Sequence, residues 1–561
     1  MNNRFLLPVS SQDDYYHLGS FNRRITTKSK DAQAWFDRGL IWSYAFNHEE
    51  AAKCFENALS NDPECAMAYW GLAYSLGPNY NKPWGVFDDD EIVTALNRTH
   101  AAAAKAKMNS SAASPVERAI IDALQFRYQK GWPAEEFSIW NQQYAAAMQS
   151  VYKDFPEDLD VAALYADALM NLTPWQLWDL SSGKPAEGAH TLEVKEILDR
   201  ALSTEAGLRH PGLLHLYIHL MEMSGTPEAA LTIADHLRGL VPDSGHLNHM
   251  PTHLDILCGD YRRAVASNSD AIDADEKFLA REGPLNFYTL YRSHDYHFRI
   301  YAAMFSGQSK IALQTAAQLQ NSIPESLLRV KSPPMADWLE GFLSTHVHVL
   351  IRFGLWQELL HLELPPDPSL YCVTTAMIHY GKGIAFAATG AITSAETQRT
   401  LFRSAMTRVP SSRTLFNNTC TSILTIASSM LDGELAYRQK NFSLAFTSLL
   451  HSISLDDSLP YDEPWGWMQP TRHAYGALLL EQGEVDKAAK VYSADLGFDN
   501  TLPRALRHPN NVWALHGYYE CLVKLGRKDE AGIVEPLLRV AVAVADVPVR
   551  SSCFCRLETA I

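Results

Sequence analysis

Two pairs of histidines are offset by one constant step. His215 and His219 sit in HLYIHLME, and His249 and His253 sit in HMPTHLDI. Each member of the first pair lies 34 residues before its counterpart in the second. Two imidazoles at i and i+4 share one face of a helix, at a spacing that lets them share one ion. Neutral imidazole is the commonest protein ligand for zinc, copper, nickel and iron. The step of 34 is the length of a two-helix repeat, so successive units would place imidazoles at the same structural position.

The elements that must position them recur along the chain. The stretch from Ala32 to Pro63 carries Trp35, Gly39, Ala51, Phe55, Ala58 and Pro63, in the spacing of the tetratricopeptide signature. A second first-helix follows in AMAYWGLAYSLGP, with Gly71 and Tyr74. The turn between helices recurs as Gly followed five residues later by Ala: Gly225/Ala230, Gly259/Ala264, Gly307/Ala312, Gly483/Ala488 and Gly526/Ala531. Weaker units turn at Gly354 and near Gly390. No period-two alternation is sustained anywhere, so strands are not expected. The fold class predicted is all-α: a tetratricopeptide-like solenoid of helical hairpins, curled into a superhelix with a concave groove. Residues 1–29 read as an N-terminal extension, 30–545 as the solenoid and 546–561 as a tail, with the candidate metal units at about 205–310.

Register sharpens the histidine pattern. With the turn glycine at repeat position 15, positions 2, 5, 9 and 12 of the first helix share the groove face. His215 and His219 then fall at 5 and 9, and Glu222 at 12. His246, His249 and His253 fall at 2, 5 and 9; His294 and His297 fall at 2 and 5, with Tyr301 at 9. Of the nine positions 2, 5 and 9 in three units, seven are His, although the chain has 21 His in 561 residues. Random placement would put about 0.3 His at those nine positions. The step from His249 to His297 is 48 residues, and DADEKFLAREGPLN accounts for the excess. His348 falls at position 9 of the next unit, and His473 at position 5 much later. Seven imidazoles exceed what one tetrahedral ion needs, so one or two transition-metal ions per chain are expected. An imidazole-rich, carboxylate-poor set favours copper, with zinc or iron as alternatives. Glu222 and Tyr301 are the candidate catalytic groups. Asp167, Asn171 and Trp175, which precede the histidine units, are candidate substrate contacts, as are His348, Glu463 and Arg472. An arginine there would hold an anionic group.

Composition limits the partners. The formal charge of −16 argues against nucleic acid and anionic membrane surfaces. No apolar run reaches the roughly 20 residues of a membrane span. The N-terminus lacks the long apolar region of a secretory signal. Eight scattered cysteines, with Cys553 and Cys555 of CFC as the one close pair, read as free thiols of a reducing, cytoplasmic compartment. No phosphate-binding loop is present.

Several blocks together carry a resemblance: YAFNHEEAAKCFENAL, LGPNYNKPW, HLYIHLMEMS, GHLNHMPTHLDILCGDY and YRSHDYHF. In these the chain resembles a family of tetratricopeptide-repeat proteins of bacteria and filamentous fungi marked by HxxxH, HxxHMPxH and HxxH histidines. Those histidines fall on His215, His219, His246, His249, His253, His294 and His297; Asp295 stands where relatives often have Asn. The resemblance implies the fold, and its fungal distribution implies a setting in secondary metabolism. Relatives of this fold that clamp peptide tails use Lys, Asn and Arg at the groove positions that here carry His.

The leading expectation is therefore a metal-dependent oxidoreductase acting on a small organic molecule. A zinc-dependent hydrolase or hydratase, with Glu222 as base, is one alternative. The other is a non-catalytic scaffold that binds a peptide partner.

Overall fold

The computed structural model describes residues 10–11, 14–134 and 136–556. The chain is all-α and built of helical repeats. Among the described residues, the only strands are two two-residue antiparallel ribbons, Trp178–Asp179 with Lys184–Pro185 and Thr414–Leu415 with Asn418–Thr419. No helix among them is long and apolar enough to cross a membrane. The first helix starts at Lys30 and the last ends at Val544. The chain forms two compact units: residues 1–254 with 270–288, and residues 255–269 with 289–561.

The first unit begins with the hairpin Lys30–Tyr44 and His48–Asn61. Ser29 and Asn47 cap the two helices by accepting from the Ala32 and Glu50 amides. Small residues let the helices close on an aromatic plug. A Cβ added at Gly39 would stand 2.7 Å from the Phe55 ring, and one added at Gly71 would stand 2.3 Å from it. The second unit repeats the device: added Cβ atoms at Gly476 and Gly517 would stand 2.6 and 2.4 Å from the Tyr492 ring.

One backbone turn joins the hairpins. A residue just past the first helix is left-handed, and the next amide bonds five residues back, closing the helix end. The bonds Gln308 N–Ala303 O (2.8 Å), Ala391 N–Phe386 O (2.8 Å) and Glu484 N–Leu479 O (2.9 Å) are examples. Glycine takes the left-handed site at 259, 307, 354, 390, 483 and 526, with φ between 63 and 83°. Gly225 departs from the expectation: its φ is not positive, and a 3-10 turn, Pro227–Ala230, follows in place of a regular second helix. Two non-glycine residues stand at the turn site: Phe46 (φ 56°) and Lys440 (φ 63°). A side chain there costs about 1–2 kcal/mol.

The cysteine expectation needs one correction. Cys553 and Cys555 are joined, while Cys54, Cys65, Cys372, Cys420 and Cys521 are free thiols. Their one-residue spacing brings the Cα atoms within 5.2 Å, inside disulfide reach.

Candidate metal centre

Helix Pro211–Met221 carries His215 and His219, and every residue in it is buried. Pro211 occupies the first turn, where no amide partner is needed. His210 precedes it: its Nδ1 accepts from the Leu213 amide (3.2 Å) and its Nε2 contacts Asp160 (3.1 Å). The second pair lies on a broken helix. The sequence read residues 246–253 as one continuous first-helix. The structure divides them into Gly245–His249 and Pro251–Cys258, because Pro251 has no N–H to continue the ladder.

The imidazoles gather within the first unit. His215, His219, His249 and His253 are at most 1% exposed, and His246 is 1% exposed. Ring centroids of His215 lie 4.8 Å from His219 and 5.0 Å from His246. One ring nitrogen from each of these three lies within 4.8 Å of the other two. Tetrahedral donors about 2.0–2.1 Å from a zinc-sized ion stand about 3.4 Å apart, so closure needs side-chain shifts of about 1 Å.

Hydrogen bonds fix the tautomers. His215 donates Nδ1–H to the Tyr44 carbonyl (2.6 Å), and His219 donates Nδ1–H to Glu222 Oε1 (2.9 Å). Their Nε2 atoms are buried and have no hydrogen-bond partner. His253 donates its Nδ1–H to the other oxygen, Oε2, of Glu222. Its Nε2 is thus an acceptor, and it lies 2.8 Å from His249 Nε2. Glu222 therefore ties imidazoles from two helices together with both oxygens. An imidazole that gives one N–H to a carboxylate or carbonyl and turns its other nitrogen inward is the arrangement that orients metal ligands.

Burial keeps His215 in the ligating form. Burial pushes the His215 pKa well below the usual imidazole value, and the neighbouring His219 adds to this. Burial also lowers His253, against the pull of Glu222. For Glu222 burial acts upward, but the charge and hydrogen bonds of His219 and His253 outweigh it and hold the carboxyl below its ordinary range. A neutral His215 can accept a cation without first losing a proton.

An aromatic wall surrounds the rings. Phe46 stands 4.4 Å from His215, 5.8 Å from His219 and 6.0 Å from His246, centroid to centroid. Tyr80 lies 5.0 Å and Trp175 5.7 Å from His219. Phe46 and Trp175 both have positive φ, at 56 and 60°. Bulky residues kept in a strained conformation mark places where the side chain matters more than backbone comfort. Sequence reasoning named Trp175 and missed Phe46 and Tyr80. The signal for Phe46 was present: it precedes Ala51 by five residues, where other repeats have Gly.

The remaining candidates are placed as follows. Asp167 accepts from Tyr74 OH and from Asn171, both at 2.9 Å, so Asp167 and Asn171 form a buried pair in the first unit. The second unit holds His294, Asp295, His297, Tyr301, His348, Glu463 and Arg472. His294 stands edge-on to Phe416 (4.8 Å), and Tyr301 stacks on Phe305 (4.3 Å). His297, whose two ring nitrogens have no hydrogen-bond partner, lines a small cavity with His348. Glu463 accepts from Tyr461 OH. Arg472 lies in an ion pair with Asp457, which takes up two of its nitrogens. His473 bonds Asp495.

Residues 32–65 match the sequence profile of the tetratricopeptide repeat. No curated protein matches the chain. Among solved structures, the APC/C hetero-tetramer Cut9–Hcn1 is similar at 12% identity over 86% of this chain and 76% of that one, with TM-score 0.30. The human IFIT1 dimer with m7Gppp-AAAA is similar at 12% identity over 92% and 91%, with TM-score 0.32. Yeast Tom70 is similar at 10% identity over 91% and 99%, with TM-score 0.27. At these scores none of them bears on function.

Proposed function

We propose that this tetratricopeptide-repeat protein is a metal-dependent oxidoreductase: His215, His219 and His246 would hold a transition-metal ion, which would supply oxidation of a small organic molecule with O2 as the electron acceptor. One observation carries the reading. Two buried imidazoles, His215 and His219, have their Nδ1–H groups anchored and their Nε2 lone pairs without a hydrogen-bond partner, and a nitrogen of His246 is in reach of both. A buried polar atom without a partner costs about 1–3 kcal/mol, and a bound cation removes that cost twice.

The donor set favours copper. It is nitrogen only, because both Glu222 oxygens are engaged by Nδ1–H groups. His253 holds Glu222 and pairs with His249; His253 positions the carboxylate. Phe46, Tyr80 and Trp175 exclude water from the ion, which strengthens its pull on bound groups. When bound, the metal would supply electron transfer to or from the organic molecule.

The test is metal content of untagged protein, followed by oxygen consumption with candidate organic substrates. Copper near one ion per chain, lost in His215→Ala, is the expected result. Zinc would move the reaction to hydrolysis or hydration, with the centre intact. Absence of any stoichiometric metal sinks the proposal. A second reading, a scaffold for a peptide partner, is favoured by the repeat match at residues 32–65. Under it the ion holds the fold, and a metal-stripped protein that stays folded would still capture its peptide.

A further inference from the structure

The second unit contains a cavity that the histidine centre does not use. It lies among helices Thr345–Arg352, Cys372–Ala388, Cys420–Arg438 and Thr471–Glu481, with Cys553 and Cys555 of the C-terminal tail in its wall. Its volume is about 40 Å³, where one water needs roughly 10–15 Å³. It therefore holds a group of a few heavy atoms. Most of the lining is apolar, including Tyr380, Ile384, Leu449 and Trp467.

Arg352 also lines it and is 3% exposed. Its guanidinium lies over the Trp513 ring at 4.4 Å. One amino group donates to the Ser552 carbonyl, and the other donates to His473 Nδ1 at 3.0 Å. Its Nε is buried without a hydrogen-bond partner. Among the described residues, no carboxylate of this unit is bonded to it. Asp495 is separated from it by the His473 ring, whose Nε2–H it accepts at 3.0 Å. Asp495 also accepts from His508 (2.8 Å) and Asn511 (3.1 Å). Glu434, the acid in the cavity wall, pairs with Arg438 at 2.8 Å. Burial pushes the Arg352 pKa below the usual guanidinium value. A buried cation bonded only to a carbonyl and a neutral ring lacks the counter-charge that buried charges require.

We propose that this cavity binds a short-chain carboxylate, whose oxygens take the Arg352 guanidinium and whose apolar tail lies along Tyr380, Ile384 and Trp467. The size of the cavity sets the short chain, the aromatic and aliphatic walls set the apolar tail, and the uncompensated guanidinium sets the anionic head. The cysteine pair contributes to the wall, and the Ser552 carbonyl holds one amino group of Arg352. Ser552 is itself held by Tyr492 OH (2.5 Å) and by donation to the His473 carbonyl (2.8 Å). This site is independent of the metal reading.

The test uses the full chain and two probes of equal shape, butyrate and butyramide, titrated by calorimetry and ligand-observed NMR. Butyrate should bind saturably, and butyramide about tenfold more weakly or worse, because it lacks the charge-assisted bonds. Arg352→Gln should erase that difference. If that variant fails to fold, Ile384→Phe, which fills the space and keeps the charge, should abolish butyrate binding. His215→Ala should leave butyrate binding unchanged, so failure of the metal centre and failure of this site are read separately. No butyrate binding, equal binding of acid and amide, or unchanged butyrate binding in folded Arg352→Gln or Ile384→Phe overturns the proposal.

Discussion

Glu222→Gln replaces one carboxylate oxygen with an amide nitrogen of nearly the same size, at a position 1% exposed. In the wild type both oxygens accept, Oε1 from His219 and Oε2 from His253. A glutamine can accept from one ring; its NH2 then faces the Nδ1–H of the other. That second ring must move its proton to Nε2 or lose the contact. If the ring is His219, the proton lands on the nitrogen that serves the metal. If it is His253, the proton lands on the nitrogen 2.8 Å from His249 Nε2. A hydrogen bond to a buried charged group contributes about 1.5–3 kcal/mol, so the apo variant should lose about 2 kcal/mol of stability. Loss of a carboxylate that orients a ligand histidine typically lowers metal affinity 10–100-fold, and a fall in that range is expected here. Urea denaturation of chelated protein measures the first quantity, and competition with a chromophoric chelator measures the second. If apo stability falls as stated while metal affinity changes less than threefold, Glu222 is a structural tie and its proposed role at the centre is refuted.

Other substitutions probe the frame. Phe46→Gly relieves a left-handed backbone but removes the ring 4.4 Å from His215. It should destabilise by about 2–3 kcal/mol and weaken metal binding. Lys440→Gly, at the same turn site with an exposed side chain, should stabilise by about 1 kcal/mol; destabilisation in urea melts would contradict the strain argument. Gly71→Ala forces a Cβ to 2.3 Å from the Phe55 ring and should cost about 2 kcal/mol or more, seen as a lower midpoint by circular dichroism. Burial acts to raise the Asp160 pKa, but hydrogen bonds from His210 and Tyr44 and the charge of Arg23 hold it well below its ordinary value. Its contribution is thus complete above about pH 4, the unfolded value, and is lost as pH falls through the lower folded value. Asp160→Asn should cost about 3 kcal/mol at pH 7 and flatten the acid limb of stability below pH 4. An unchanged limb in urea titrations would count against the pairing.

Much of the fold was legible because each repeat restates it locally. Gly39, Gly71 and Phe55 announced the first hairpin, and glycines followed five residues later by alanine marked turns that are left-handed at all but Gly225. The histidine register was legible for the same reason, since His215 and His219 are one helical turn apart. What escaped depends on contacts that no local pattern encodes. The Tyr44 carbonyl that anchors His215 lies 171 residues away. Glu222 shared a face with the histidines in sequence, but its use of both oxygens follows from where His253 arrives. Pro251 was in plain view, and its chemistry breaks the helix between His249 and His253. The pairing of Arg472 with Asp457 and the bonding of Arg352 to a ring nitrogen and a carbonyl are tertiary facts.

The long reach from His215 to Tyr44 bears on how the centre is made in a cell. A ribosome delivers residues 30–44 long before residues 211–254, so the first helix must wait for the imidazoles that it will orient. Until that helix docks, His215 has no fixed tautomer. Under the proposed function, metal uptake would then be a late checkpoint of biosynthesis, and a retained ion would certify that residues 30–44 and 211–254 have found each other.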